Sequence, residues 1–415
     1  MPDAVDTLSA SRRRAAVIFI FITVVIDVLG FGLVIPVLPL LVKQFMSGDA
    51  ASSAEMFGVF GTVWALMQFF FSPLLGAVSD RFGRRPVILI SCFGLGIDYI
   101  VMALAPNIGW LLFGRIASGI CASSFTTAGA YIADVSPPEK RAAAYGMIGA
   151  AFGVGFVLGP ALGGLLGNIN PRLPFWGAAG LALLSAAYGL FVLPESLPPE
   201  KRDAFHWAKA NPVGSLKLLR SHPDLLGLAA INLLFQLAHV VNPSMFVLYT
   251  SYRYGWNAQT VGLTLMVVGV LSIVVQAGLV KPAVHRLGER GSLYTGLAFG
   301  ILGLTGFALA PSGVWLWAAL PIFSLMGLFG PGMQSLMSQR VAPHEQGKLQ
   351  GANGSISSIA GLIGPSIFTL SFAHFIDKGR AWTLPGAPFL IAAAMLLVGL
   401  ILAMLARRRP PQTAG

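Results

Sequence analysis

The sequence predicts an all-α integral membrane fold of twelve transmembrane helices, arranged as two six-helix pseudo-repeats. Three observations predict it. Of 415 residues, 55% are apolar and 10% charged; the apolar residues fall into runs of membrane-spanning length; and two motifs recur at one fixed offset. Soluble domains carry roughly 25% charged residues, and a soluble fold of this length cannot hide so much apolar surface. The 49 Gly and 27 Pro are spread through the apolar runs. That pattern suits membrane helices, where neighbours re-satisfy the backbone groups that such residues free.

Apolar stretches of about 20 residues bounded by charges or turn residues place helices over 15–41, 57–78, 87–105, 109–133, 142–167 and 174–193, which make an N-terminal half, 1–193. A long polar connection follows at 194–224, carrying Pro194, Glu195, Pro198, Pro199, Glu200, Lys201, Arg202 and Asp203, and reads as a cytoplasmic linker. Helices over 225–250, 258–281, 292–310, 314–338, 348–373 and 385–406 make the C-terminal half, 225–415. Arg12, Arg13 and Arg14 before the first run resemble the charged start of a signal peptide. The run from Ala15 to Val42 is longer than an h-region of about 7–15 residues and lacks a small-residue cleavage site, so that reading is rejected.

The formal net charge is +11, yet Lys and Arg sit in short clusters and form no continuous basic stripe, which argues against nucleic acid as a partner. Membrane orientation accounts for them. Lys43, Arg172, Arg253, Lys378 and Arg380 fall in outer loops and Arg115 inside a helix; the others flank the inner ends, among them Arg407, Arg408 and Arg409. The positive-inside rule then puts both termini in the cytoplasm of a multi-pass protein, expected in a bacterial inner membrane. Cys92 and Cys121 lie in predicted helices and are too few for a disulfide framework or metal cluster.

Arg81-Phe82-Gly83-Arg84-Arg85 is echoed by Arg286-Leu287-Gly288-Glu289-Arg290, and Gly159-Pro160 by Gly364-Pro365, both at an offset of 205. One offset shared by two separate sites implies duplicated halves.

A charge within the bilayer costs roughly 3 kcal/mol on insertion scales, so the few inside helices are functional candidates by default. Asp27 lies mid-way in the first helix among Gly30 and Gly32, where close backbone approach suits a carboxylate facing a shared cavity; a structural carboxylate paired with Arg115 is the alternative. Asp98 and Arg115 sit in neighbouring helices, where an ion pair would lower the cost of both, or where either group could serve proton or substrate. The second half has no charge well inside a helix. There Asn232, Gln236, His239 and Asn242, at spacings of 4, 3 and 3, share one helix face. Gln68 and Gln276 are further cavity amides, or else bond across helices. Trp64, Phe69, Phe70, Phe71, Phe235 and Phe246 suit a hydrophobic pocket or lipid contact, and none is singled out. With no G-x-x-x-x-G-K-S/T loop and no ATPase-sized soluble segment, transport would run on an ion gradient. Gly153-Val154-Gly155 lacks the third glycine of a dinucleotide turn. No enzyme activity, cofactor or metal is expected.

Asp27-Val28-Leu29-Gly30-Phe31-Gly32 leading to Pro36-Val37-Leu38-Pro39, and Gly76-Ala77-Val78-Ser79-Asp80-Arg81-Phe82-Gly83-Arg84-Arg85-Pro86, carry a resemblance. Gly114-Arg115, Ala130-Tyr131-Ile132-Ala133-Asp134, Gly155 through Gly164, and Tyr252-Arg253-Tyr254-Gly255-Trp256 extend it over nearly the whole chain. The sequence resembles the major facilitator superfamily, and within it the tetracycline/proton antiporters. That resemblance implies proton or substrate work for Asp27, and cavity positions for Asp98, Arg115 and Gln68. It implies an inner gate at Gly76 and Asp80 through Arg85 (Asp80, Arg81, Gly83, Arg84, Arg85), with Asp134 in its charge network and Asp80 capping a partner helix. Gly155, Gly159, Pro160, Gly163 and Gly164 resemble the antiporter signature that seals the interface between halves. Two positions depart from the family pattern. Ser272 stands where those pumps carry a helix-8 His, and Gly300 aligns near their helix-9 Asp, so His239 becomes the candidate titratable group in the second half.

The expectation is drug:proton antiport by alternating access, by a monomer in lipid, with protonation of Asp27 or Asp98 competing with a small amphiphilic or hydrophobic substrate. One rival is an importer of a small metabolite, which usually grips its solute with polar groups in both halves. The other is a non-transporting sensor or scaffold, for which the helix charges would be dispensable.

Overall fold

The structure, a computed structural model, describes residues 10–121, 124–136, 138–202, 223–342, 345–377, 379 and 383–405. Residues 203–222 of the expected linker, the expected outer-loop cations Lys378 and Arg380, and Arg407, Arg408 and Arg409 lie outside them. The described residues form helices and connecting turns, with no β-strand among them. Among the described residues, ten helical stretches are long and apolar enough to cross a membrane, and Ile108–Cys121 is a shorter apolar helix.

The expected first helix divides into α1 (Ala10–Val34) and α2 (Leu38–Phe45). Pro36 explains the division, since it lacks an N–H and pushes the preceding Ile35 away from helical geometry. Helix α3 (Ala50–Phe82) begins seven residues before the expected start at 57, because Asp49 accepts a hydrogen bond from the Ser52 N–H at 2.8 Å and caps it. Then come α4 (Arg84–Leu104), α5 (Ile108–Cys121), α6 (Ser124–Val135), α7 (Pro138–Ile169) and α8 (Leu173–Val192).

After the linker follow α9 (Pro223–Tyr254) and α10 (Ala258–Val274), the latter capped by Asn257, which accepts from the Thr260 N–H at 2.9 Å. A π-helical turn, Val275–Leu279, joins α10 to α11 (Val280–Leu309). Helix α11 is broken at Gly288, so the apolar stretch Ala258–Leu309 runs as two segments. The expected tenth helix is also interrupted. It comprises α12 (Gly313–Ser324), a 3-10 turn at Leu325–Leu328 and α13 (Phe329–Ser338), and is followed by α14 (Gln346–Ile376) and α15 (Ala387–Leu405).

Gly83 and Gly288, the two glycines matched in the internal echo, adopt φ of 103° and 70°. A side chain is strained in that region of φ, so each glycine permits the sharp break between two helices. The matched prolines, Pro160 and Pro365, both lie inside long helices.

The chain divides into two compact units. The first comprises Met1–Phe45, Val63–Asn211 and Asn257–Met266; the second comprises Met46–Thr62, Pro212–Trp256 and Val267–Gly415. Glycines set the packing in each. In the first, Gly155, Gly159 and Gly163 of α7 lie against Val28, Gly32 and Leu33 of α1, and Gly164 meets Gly262 of α10. In the second, Gly61 of α3 lies against Pro365 of α14, and Thr62 hydrogen-bonds Ser366 at 2.9 Å.

Candidate functional site

The first unit holds the charged cluster. Asp27 on α1 is 9% exposed and Asp98 on α4 only 2%. The Cys92 thiol, two turns before Asp98, reaches Asp27 Oδ1 at 4.0 Å. The Asp98 carboxylate lies beside Gly114 of α5, where a Cβ would come within 2.8 Å of Oδ1. A glycine is therefore what admits the acid next to Arg115. Neither Asp98 oxygen has a hydrogen-bond partner, nor does Arg115 Nε, although all three atoms are buried. The expected ion pair is thus not closed by hydrogen bonds, though the field of each group acts on the other.

Arg115 rests instead on an aromatic face. Its guanidinium carbon lies 5.2 Å from the centre of the Trp64 ring, and Phe31 stacks on Trp64 at 5.8 Å with the planes 19° apart. A guanidinium over an indole is a favourable contact when desolvated. Gln68, one turn beyond Trp64 on α3, is half-buried.

In the turn between α3 and α4, the expected gate residues Asp80 and Arg84 join Asp134 of α6 in one network. Arg84 binds Asp80 at 2.6 Å, Asp134 at 3.2 Å and the Ser79 hydroxyl at 2.6 Å. Arg85 donates to the Leu190 carbonyl at 2.6 Å, and Arg81 lies over the Phe82 ring. Glu195, at the start of the expected linker, also reaches this turn, where its carboxylate accepts from the backbone N–H groups of Arg84 and Arg85 at 2.9 and 3.3 Å. It thereby satisfies orphan donors at the N-terminus of α4 and meets the positive end of the helix dipole. Gly83 gives it access, since a Cβ there would collide with Glu195 Oε2. The Pro-Glu-Ser sequence directly after α8 was the available signal. Gly76 has open space where a Cβ would stand.

The polar stripe of α9 is partly answered by α14 in the second unit. Asn232 donates to Asn353 at 3.2 Å and Gln236 to the Ser357 hydroxyl at 2.6 Å, two rungs between two helices. His239 is exposed and stacks on Phe235, which stacks in turn on Phe329 at 3.7 Å. Asn242 Nδ2 is buried with no partner. Gln276 sits exposed in the π turn, close to Gly327 of the 3-10 turn. Ser272 spends its hydroxyl on the Val268 carbonyl at 2.8 Å. A Cβ at Gly300 would stand 2.7 Å from Leu396 Cδ1 and 3.1 Å from Met326 Cγ, so a carboxylate there would have to displace both side chains. No group of three or more potential metal ligands occurs among the described residues.

A family model described as Major Facilitator Superfamily matches residues 20–365. The chain belongs to that superfamily. Among Major Facilitator relatives, the class C tetracycline resistance protein of Escherichia coli is 39% identical over 94% of this chain and 98% of its own. The class G tetracycline resistance protein of Vibrio anguillarum is 35% identical over 89% and 93%. Multidrug resistance protein 2 of Bacillus subtilis is 27% identical over 98% and 99%. Solved transporter structures share the fold. The human organic anion transporter MFSD10 superposes with a TM-score of 0.69 at 23% identity, over 94% of this chain and 99% of that one. The nucleoside transporter NupG gives 0.77 at 13% identity, over 95% of this chain and 100% of that one.

Proposed function

We propose that this chain exports a tetracycline-like drug across a bacterial inner membrane in exchange for protons, as a monomer with both termini in the cytoplasm. The names of the tetracycline resistance relatives support the substrate class. The arrangement we infer has twelve spans in two six-helix repeats, with halves 1–193 and 225–415 and a cytoplasmic linker at 194–224. The Gly288 break supports counting Ala258–Leu309 as two crossings, since its 52 residues would make a single helix of about 78 Å, far beyond the roughly 30 Å hydrocarbon core.

The observation that carries the coupling is the Asp98 carboxyl, buried beside a cation with both oxygens unpartnered. An ionised carboxylate in that setting is costly, and a proton is the smallest group that relieves it. Asp98 would take a proton from outside and release it inside, Asp27 would share the cavity, and Arg115 would favour the ionised state when substrate is absent. Gln68, Asn242, His239 and Gln276 would line the path, while Asn232 and Gln236 hold α9 to α14. Asp80, Arg81, Arg84, Arg85 and Asp134 would form the inner gate, and Gly155 through Gly164 the sliding seam. No cofactor is required, since the proton gradient supplies the energy.

The test is tetracycline accumulation in an efflux-deficient host expressing the chain, with and without an uncoupler. Wild type should hold accumulation down until the uncoupler is added, and Asp98→Asn should not. Equal accumulation with and without the protein, for tetracycline and for a panel of amphiphilic drugs, would refute export.

A further inference from the structure

Trp64 sits where three contacts meet. The Arg115 guanidinium lies over its ring at 5.2 Å, and Phe31 stacks on it at 5.8 Å. Gly119 of α5 comes so near that a Cβ there would lie 2.8 Å from the Trp64 carbonyl oxygen and 3.3 Å from its Cα. Gly119 is one turn beyond Arg115 on the same helix. The backbone carrying the indole and the helix carrying the guanidinium are therefore packed closely together, which keeps the ring within reach of the cation.

The chemistry of that pairing is unequal. A guanidinium offers five N–H donors in a planar fork, and a ring face offsets its charge while accepting few of them. A carboxylate partner would close the fork bidentately. Here Nε is buried without an acceptor, and the Asp98 carboxylate hydrogen-bonds to nothing. Phe31 keeps 37% of its surface exposed, so the aromatic wall of Phe31 and Trp64 is not sealed into the packing. A flat ring laid along that wall would bring its edge toward the guanidinium.

We propose that Trp64 determines substrate specificity by holding Arg115 through its ring face, so that the donor fork stays open for the acidic oxygen edge of a planar aromatic substrate lying along Phe31 and Trp64. The proposal rests on the drug-export reading and names the substrate class within it: flat, fused rings bearing enolate, phenolate or carboxylate oxygens. A flat cation gains nothing from the fork. The acidic group that faces Arg115 is Asp98 on α4.

The experiment compares purified full-length wild type with Trp64→Leu, Trp64→Phe and Trp64→Tyr. Equilibrium binding of tetracycline, a flat acidic probe, and ethidium, a flat cationic one, is measured in detergent, and proton-driven tetracycline uptake is measured in proteoliposomes. Trp64→Leu should raise the tetracycline Kd and KM about tenfold, the loss of a desolvated cation–π contact, with Vmax and ethidium affinity unchanged. The Phe and Tyr variants should recover most of the affinity, because each keeps a ring face. An unchanged tetracycline Kd in Trp64→Leu overturns the proposal, as does equal weakening for both probes. If Trp64→Leu is not monodisperse, the ranking of Trp above Tyr and Phe decides, and equal Kd values across the three overturn it. Wild type that binds tetracycline without exporting it refutes the export reading while the binding series still judges Trp64. Wild type that does not bind tetracycline refutes the Trp64 proposal.

Discussion

Gly32 of α1 and Gly159 of α7 face each other so closely that a Cβ added to either would lie within 2.8 Å of the other's Cα. The crowding atoms are backbone, which cannot rotate out of the way. Gly159→Ala should therefore cost about 1–3 kcal/mol, the range for overpacking a close-packed site. Gly180→Ala, at a helical position with open space around the would-be Cβ, should be neutral or slightly stabilising because alanine restricts the unfolded chain. Thermal unfolding of both variants in detergent reads the contrast, and equal stability would show that α1 and α7 separate freely at this crossing.

How much of this was legible in the sequence follows from which forces act locally. Helix existence was legible because hydrocarbon demands about 20 apolar residues per crossing. Helix ends were less legible: the cap at Asp49 starts α3 seven residues before the apolar run, whereas α10 starts at the expected 258. Asp27, Asp98 and Arg115 stood out because charge in apolar surroundings is rare. Trp64 did not, because one aromatic among many looks the same until a cation from another helix is found on its face. Glu195 was hidden similarly: its partners are backbone N–H groups about 110 positions away. The duplicate positions Gly83 and Gly288 were readable from the offset alone, and their positive φ values give the physical reason for glycine at both.

Asp98→Asn removes the titratable proton while keeping the shape of the side chain. A proton crossing the full potential contributes about 2.3 kcal/mol per 100 mV, and a variant that cannot carry it has no such drive. Gradient-driven tetracycline uptake into inverted vesicles should vanish, while exchange of labelled for unlabelled drug across the same vesicles should persist. Retained uphill uptake would move the coupling role to Asp27 or another group.

Glu195→Gln keeps a hydrogen-bond acceptor for the α4 N-terminus but removes its charge, and Glu195→Ala removes both. The alanine variant should lose about 1 kcal/mol, as for other lost helix caps, and the glutamine variant about half of that, the share from the helix dipole. Because Arg84 bonds both Asp80 and Asp134, loss of the cap should also loosen that network. Thermal stability of the purified variants, with protease nicking near residue 195 as a second readout, checks both effects.

The rungs from Asn232 to Asn353 and from Gln236 to Ser357 join α9 and α14 by side-chain amides and a hydroxyl at matching one-turn spacing. If the rungs only hold the helices together, a double-mutant cycle with Gln236→Ala and Ser357→Ala should give a coupling near 0.6 kcal/mol and no more than about 1.7, the range measured between helices in membranes. Transport by the double variant should then stay close to wild type once expression is matched. His239 makes the opposite case on the same helix, because its ring is exposed and contacts Phe235 without locking two helices together. His239→Ala should leave stability within about 0.5 kcal/mol while changing the pH dependence of tetracycline uptake. A normal pH profile for His239→Ala, beside a transport defect in the Gln236 variant, would exchange the roles assigned to the two residues.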